Sequence, residues 1–390
     1  MLKKFTVSNY RSFENPITID FTNIREYDFN EECIKDGLIN KAVIYGENAV
    51  GKTNFGKAIL DIVTMIQNGR SHFISQNLLA EVGGFKNVKS DKNARFEYLF
   101  QFNDHEIEYI YEKSAPNKIC FESFKIDQKL LYEHNFTNGD SDFSEFKKSP
   151  ELMHLNLDDW DDSISVIRYI LSHAKLEKFI VLKELQIFVS GMFNLQDMLK
   201  TDDKKERAAA IIHSILESEE DELRNILIQY LERFLRASDV DVRLKVQLRL
   251  DGKKELYFDY GNNNYLPFLE HASSGTLALV ELSSLFTIFN SPTFLYIDEF
   301  DAHFHFAVAK SLLELFKQYR GYQTVITTHN TDLMSNKFMR PDCYLLMTSD
   351  KITNLADATD RILRLGHDLE NLYQAGEFNE IINQLGDEHA

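Results

Sequence analysis

The sequence predicts an α/β chain: a mostly parallel sheet covered by helices, accompanied by an antiparallel β meander and interrupted by a helical insertion. Three observations carry this. The last third cycles between apolar strand runs ("TFLYI", "QTVIT", "CYLLM") and helical stretches ("LALVELSSLFTIF", "FAVAKSLLELFKQY"), the alternation that builds a parallel sheet. Near the start, "KAVIYGENAVGKTNF" runs from an apolar strand through a glycine loop into an amphipathic helix. From Arg95 to about His134 the pattern has period two.

Taken in order, Phe5 and Val7, then Ile17, Ile19 and Phe21, alternate on either side of Asn15-Pro16, which reads as two short strands joined by a turn. "KAVIYG" is a short buried strand ending at Gly46. Phe55, Ile59, Ile62 and Ile66 then recur at helical spacing, predicting a helix from Thr53 to about Gln67. In the meander, Phe96, Tyr98, Phe100 and Phe102 share one face and Ile107, Tyr109 and Tyr111 follow the turn "NDH"; these aromatics read as core rather than a platform for stacking bases. Residues 137–237 are charged and helical in period, as in "DELRNILIQYLERFLRA", so the predicted organisation is 1–136, a helical insertion over 137–237, and 238–390. "VRLKVQLRL" and "ELYFDY" are strands joined by the turn "DGKK".

A length of 390 residues leaves room for two or three compact units. The formal net charge of -18 at pH 7 repels a phosphate backbone wherever bases do not cluster, so nucleic-acid binding by the surface at large is disfavoured. Arg243, Lys245 and Arg249 form a small basic stripe on one strand, a pattern that a solvated strand face shares. Cys33, Cys120 and Cys343 are odd in number and lack a CxxC pair, so they read as reduced, packed thiols. The N-terminus has no apolar signal region and the chain has no apolar run of membrane-spanning length, which predicts a cytoplasmic chain that does not use a membrane.

Four short stretches carry chemistry. In "GENAVGKT", Gly46 and Gly51 let backbone N–H groups close around phosphates, Lys52 reaches the β- and γ-phosphates and the Thr53 hydroxyl holds Mg²⁺. The bland alternative is a fortuitous glycine turn, but the flanking strand and helix are the ones the motif requires. "TFLYIDEF" ends a buried strand in Asp298-Glu299, which places both carboxylates at the carboxyl edge of the sheet. Asp298 would hold the Mg²⁺ shell and Glu299 would polarise the attacking water. In "VITTHNTDLM", His329 follows the next strand and could bond the γ-phosphate and that water; a surface histidine is the alternative. In "HASSGTLALVEL", Ser273, Ser274 and Gly275 lead into a helix through Leu279, Leu282, Phe286 and Phe289, an anion-binding helix end or an ordinary serine N-cap.

In this order the four motifs resemble those of ABC-type ATPases, and "SNYRSF" with a distant "TTHNTDLM" resembles the RecF, SMC and OLD-like branch, closest to bacterial AAA-family ATPases of abortive-infection and anti-phage defence operons. The resemblance covers about residues 1–110 and 240–390. It implies an ABC-type P-loop head with ATP and Mg²⁺ as cofactors: Gly46, Asn48, Gly51, Lys52 and Thr53 as Walker A, Asp298 and Glu299 as Walker B, His329 as switch histidine, Ser273 and Gly275 at signature positions, and Arg11 near the phosphates. The signature reads "ASSGT" where transporters have "LSGGQ". Gln76 and Gln101 both stand where a Q-loop glutamine could, and either could equally be a plain surface or strand residue. Asp301, and less so His305, would face a second subunit. The acidic run around Trp160 reads as a solvated helix start. The insertion is too short for a chromosome-structuring coiled-coil arm.

The implied activity is ATP hydrolysis in a homodimer or higher homo-oligomer that closes around two Mg-ATP, switching a separate effector protein. A RecF/SMC-like DNA clamp is the alternative, disfavoured by the acidity.

Overall fold

The computed structural model describes residues 1–67, 84–148, 152–155, 164–175, 179–195, 204–284, 292–300, 304 and 306–378. Gln76, Trp160, Phe286, Phe289, Asp301 and His305 lie outside them. In chain order come β1 (Leu2–Ser8), β2 (Ile17–Asp20), the short pair β3 (Ile34–Lys35) and β4 (Leu38–Ile39), β5 (Lys41–Tyr45) and helix α1 (Lys52–Ile66). The meander is β6 (Ala94–Phe102), β7 (His105–Ala115), β8 (Lys118–Ile126), β9 (Lys129–Asn135) and β10 (Ser141–Asp142). Then follow α2 (Val166–His173), α3 (Ile180–Ser190), β11 (Met192–Asn194), α4 (Lys204–Leu216), α5 (Asp221–Ala237), β12 (Leu244–Leu248), β13 (Lys254–Asp259) and β14 (Tyr265–Pro267). The chain continues through α6 (Phe268–His271), α7 (Ser274–Ser284), β15 (Phe294–Ile297), α8 (Phe306–Gln318), β16 (Gln323–Thr327), β17 (Tyr344–Met347), β18 (Ile352–Asn354) and α9 (Leu369–Gln374).

These elements form two compact units, Met1–Asn194 with Thr293–Asp298 and Tyr322–Ala390, and Leu195–Pro292 with Glu299–Gly321. In the first, a six-stranded sheet has the order β11-β15-β16-β5-β17-β18, parallel except for β18 at the edge. Every residue of β5, β15, β16 and β17 is buried. Strands covered on both faces read as unbroken apolar runs, which is why "FLYI" and "YLLM" were legible as strands. The strand β11 was not: it falls inside the stretch expected to be helical, as does β10, and its three residues are too few to show a period. Four helices of that stretch, α2 to α5, agree with the expectation.

The second sheet of this unit has the order β10-β9-β8-β7-β6-β1-β2, so the first two strands of the chain extend the meander rather than stand apart. Phe96, Tyr98, Phe100, Ile107, Tyr109 and Tyr111 are all buried, and their rings pack on one another, Phe96 against Tyr111 at 4.9 Å. They are core, as expected. Polar bonds tie this sheet to α1. Lys113 of β7 donates to both carboxylate oxygens of Asp61 at 2.9 Å, Tyr111 donates to the same carboxylate at 2.8 Å, and Tyr98 donates to the Ala58 carbonyl at 2.8 Å. Breaking such a buried pair by removing one partner costs about 3–5 kcal/mol, so the helix after the glycine loop is held in one place. The buried Glu122 of β8 accepts from Tyr132 at 2.6 Å and from the Val166 amide at 2.9 Å, capping α2.

In the second unit, a three-stranded sheet β12-β13-β14 accompanies α4 to α8. The expected strand "VRLKVQLRL" is shorter than its pattern, with Val242 and Leu250 outside β12. Its basic stripe is broken up: Lys245 donates to the Tyr265 hydroxyl at 2.8 Å, while Arg249 lies 3.8 Å from Glu255. The three cysteines of the chain are free and buried. Among the described residues no helix is long and apolar enough to cross a membrane.

Candidate functional site

The parallel register decides what meets at the carboxyl edge. Ile297 of β15 lies beside Ile326 of β16, and Thr327 lies beside Ile44 of β5, so the next residues along the three strands, Asp298, Thr328 and Tyr45-Gly46, emerge together. The loop from Gly46 to Gly51 turns there into α1. Two left-handed residues, Ala49 at φ 66° and Gly51 at φ 107°, fold it back on itself. The conformation favours glycine at 51, and a Cβ at Gly51 would lie 2.8 Å from the Phe13 ring and from Ser12 Oγ. At Gly46 a Cβ would meet the Met347 carbonyl oxygen at 2.5 Å. Close approach restricts both positions, and at Gly51 the left-handed backbone does so as well. Asn48 is exposed on the loop.

Lys52, with only 7% of its surface exposed, donates from Nζ to the Gly46 carbonyl at 2.8 Å and to the Glu47 carbonyl at 2.9 Å. The ammonium is thus folded over the loop's own backbone, where phosphate oxygens would compete with those carbonyls. Thr53 Oγ1 donates to Asp298 Oδ2 at 2.5 Å, and Thr327 Oγ1 donates to Asp298 Oδ1 at 2.6 Å. Asp298 is 1% exposed, so these two hydroxyls serve a carboxylate that water barely reaches. That hydroxyl and carboxylate are the groups that would hold Mg²⁺, which takes few protein ligands and completes its shell with phosphates and water. The donor set fits the ion; among the described residues there is no cluster of three His, Cys, Asp or Glu that would hold a metal without a nucleotide.

Glu299 follows Asp298 with φ 47°, a left-handed conformation that costs a non-glycine residue free energy and recurs at functional positions. It is half-buried, and His329, after Thr327 and Thr328 at the end of β16, is exposed. Arg11 has φ 49°; its Nε donates to the Tyr10 hydroxyl at 3.0 Å, and its loop reaches the phosphate loop through Phe13 on Gly51 and through Asn54 Nδ2 donating to Ser12 Oγ at 3.1 Å. Gln101 is not brought there. It lies at the Leu2 end of the β1–β6 pair, opposite the Ser8 end that leads to Arg11, and donates to the Asn103 carbonyl of its own turn.

In the second unit, Ser273 Oγ accepts from the Thr276 amide at 3.1 Å, an ordinary N-cap on α7. Ser273 and Ser274 are exposed, and a Cβ at Gly275 would meet only Ser273 Oγ at 3.8 Å, so neither crowding nor a left-handed φ explains this glycine.

Three residues at the site escaped the sequence reading. Thr327 is one. The others are Gly56 and Tyr296: a Cβ at Gly56 would fall 2.2 Å from the Tyr296 ring, whose hydroxyl donates to the Lys52 carbonyl at 2.7 Å. A glycine in mid-helix, which costs about 1 kcal/mol against alanine, was the available signal of close packing.

Comparison with known families decides the identity. A model described as "AAA domain, putative AbiEii toxin, Type IV TA system" matches residues 41–335. The chain belongs to this family. Its α/β fold is that of a P-loop ATPase domain of the AAA kind. No curated protein matches it. Among solved structures, it is similar to an Smc head bound to the C-winged helix domain of ScpA, at 16% identity over 91% of this chain and 97% of that one, TM-score 0.48. An SMC head domain from Thermotoga maritima is similar at 15% identity over 90% and 98%, TM-score 0.43. So is an Smc head with an extended coiled coil bound to the C-terminal domain of ScpA derived from Pyrococcus furiosus, at 16% identity over 98% and 99%, TM-score 0.43.

Proposed function

We propose that this AAA-family protein is a Mg-ATP-dependent switch whose copies close head to tail around two nucleotides, hydrolyse them and reopen, and that the switch acts on a separate effector protein in anti-phage defence. The observation that carries the reading is the double clamp on Asp298, which ties the hydroxyl of the phosphate loop to the ends of two neighbouring parallel strands.

In this reading the amides of Gly46 to Gly51, with Asn48, cradle the phosphates, and Lys52 leaves its loop carbonyls for the β- and γ-oxygens. Thr53 and Asp298 hold Mg²⁺, which when bound neutralises charge developing on the transferred phosphoryl group. Glu299 orients and deprotonates the water, His329 bonds the γ-phosphate, and Arg11 stands beside the loop. Ser273 and Gly275, at an exposed helix start, would meet the γ-phosphate held by a second copy. A nucleotide gripped from both sides favours the closed form and so shifts that equilibrium. We further propose the division 1–136 and 238–390 as the two halves of the head, with 137–237 inserted between them. The family's description, which names a toxin and a type IV toxin–antitoxin system, supports a defence role.

The test is the mass of the protein in solution with and without Mg-ATP. A dimer or larger assembly that appears with Mg-ATP, persists in Glu299→Gln and is lost in Lys52→Ala is the expected result. A monomer in every condition sinks the head-to-tail reading.

A further inference from the structure

A cleft in the second unit is used by neither the nucleotide nor the signature helix. Helix α4, strand β13 and the short α6 surround a volume of ≈ 520 Å³. Its floor is aliphatic, from Ile212 and Leu216 of α4, Leu256 of β13 and Leu269 of α6. Its rim carries Arg249, Lys253 and Lys254 from the β12–β13 turn.

These cations are weakly occupied. Arg249 is 3.8 Å from Asp251 and from Glu255, Lys254 is 3.8 Å from Asp221, and Lys253 makes no ion pair among the described residues. On the far wall, Glu217 is paired with His213 at 2.9 Å and so competes less for them. The same hairpin holds Leu248 and Leu250 out to solvent, at 71% and 112% relative exposure. Apolar surface beside cations is the arrangement that an amphipathic ligand covers.

We infer that this cleft docks an acidic segment of a partner protein, which seats an aliphatic or aromatic side chain on Ile212, Leu216, Leu256 and Leu269 while its carboxylates meet Arg249, Lys253 and Lys254. A nucleotide is a poorer match. The lining offers no Phe, Tyr or Trp ring to stack a base. An apolar side chain flanked by carboxylates needs no such ring and matches the aliphatic floor and cationic rim. The inference rests on the separate-partner reading above and gives that partner a place to bind.

The test uses the full chain on an array of short random peptides, followed by affinity measurement for those retained. Two variants accompany it: Arg249→Glu with Lys253→Glu, which reverses exposed charges, and Ala209→Trp, which fills the cleft from its half-buried wall. Unchanged thermal unfolding and ATP binding certify both as folded. Expected are peptides with Asp or Glu around a Leu, Ile or Phe, whose affinity falls at least about tenfold in each variant. Retained peptides without acidic residues, peptides indifferent to both variants, or no peptides at all overturn the site. So does binding of inorganic phosphate lost with the charge reversal, which makes it a small-anion site. An effector that co-purifies equally with wild type and Ala209→Trp preserves the partner reading and sinks this cleft. Peptides that bind as expected, with no co-purifying effector, do the reverse.

Discussion

Replacing Gly56 by alanine should destabilise the protein, against the usual direction of that change. In a helix interior alanine is favoured by about 1 kcal/mol. Here the added methyl would sit 2.2 Å from the edge of the Tyr296 ring, so ring and helix must part by about 1 Å to reach ordinary contact. Overpacking of this kind costs about 1–3 kcal/mol, and tilting the ring away strains or breaks its bond to the Lys52 carbonyl, worth about 1 kcal/mol more. The net loss should be about 2 kcal/mol, read as a melting temperature lower by roughly 2–4 °C. ATP turnover should fall as well, because Tyr296 stands two residues before Asp298 on β15. A Tyr296→Leu background removes the ring and should return Gly56→Ala to neutral or stabilising. An alanine variant more stable than wild type, or an unchanged penalty in the leucine background, would refute the packing argument.

Thr327→Val keeps the branched shape of a buried strand residue but leaves Asp298 Oδ1 without that hydroxyl donor, so stability should fall by about 1–3 kcal/mol. The Mg²⁺ concentration that half-saturates ATP binding should rise roughly tenfold in a magnesium titration, since groups that orient a metal ligand have effects of that size. Glu299→Gly should raise the melting temperature while abolishing turnover, because glycine adopts φ 47° without the steric cost a glutamate bears. Glu281 on α7 is buried, its Oε1 has no hydrogen-bond partner among the described residues, and burial pushes its pKa up to about 7 despite Arg207 at 3.1 Å. The folded state therefore binds the proton more tightly than the unfolded chain: this contribution is full below about pH 4.3 and is lost as pH rises through about 7. Glu281→Gln should flatten the decline measured by denaturation between those pH values.

The parts of this protein that could be read from its sequence are those in which the chemistry is contiguous. A glycine loop between a strand and a helix is written in consecutive residues, so "GENAVGKT" announces the turn from β5 through Gly46 and Gly51 into α1. Strands buried on both faces and meander strands with one buried face write their periods directly, as "QTVIT" and "ARFEYLFQF" do. Ser273 was legible as the start of a helix, and its hydroxyl does cap α7.

The tertiary structure decided whatever depends on residues far apart in the chain. Thr327 meets Asp298 because of the register between two parallel strands, and register is set by packing on both sheet faces rather than by any local pattern. Phe13 and Ser12 limit Gly51, and Tyr296 limits Gly56, through contacts that span tens or hundreds of residues. The strand β11 exists because an open edge of β15 pairs with it, which three residues could not signal alone. The sequence determined which groups lie along the glycine loop; the pairing of distant strands determined which groups hold them in place.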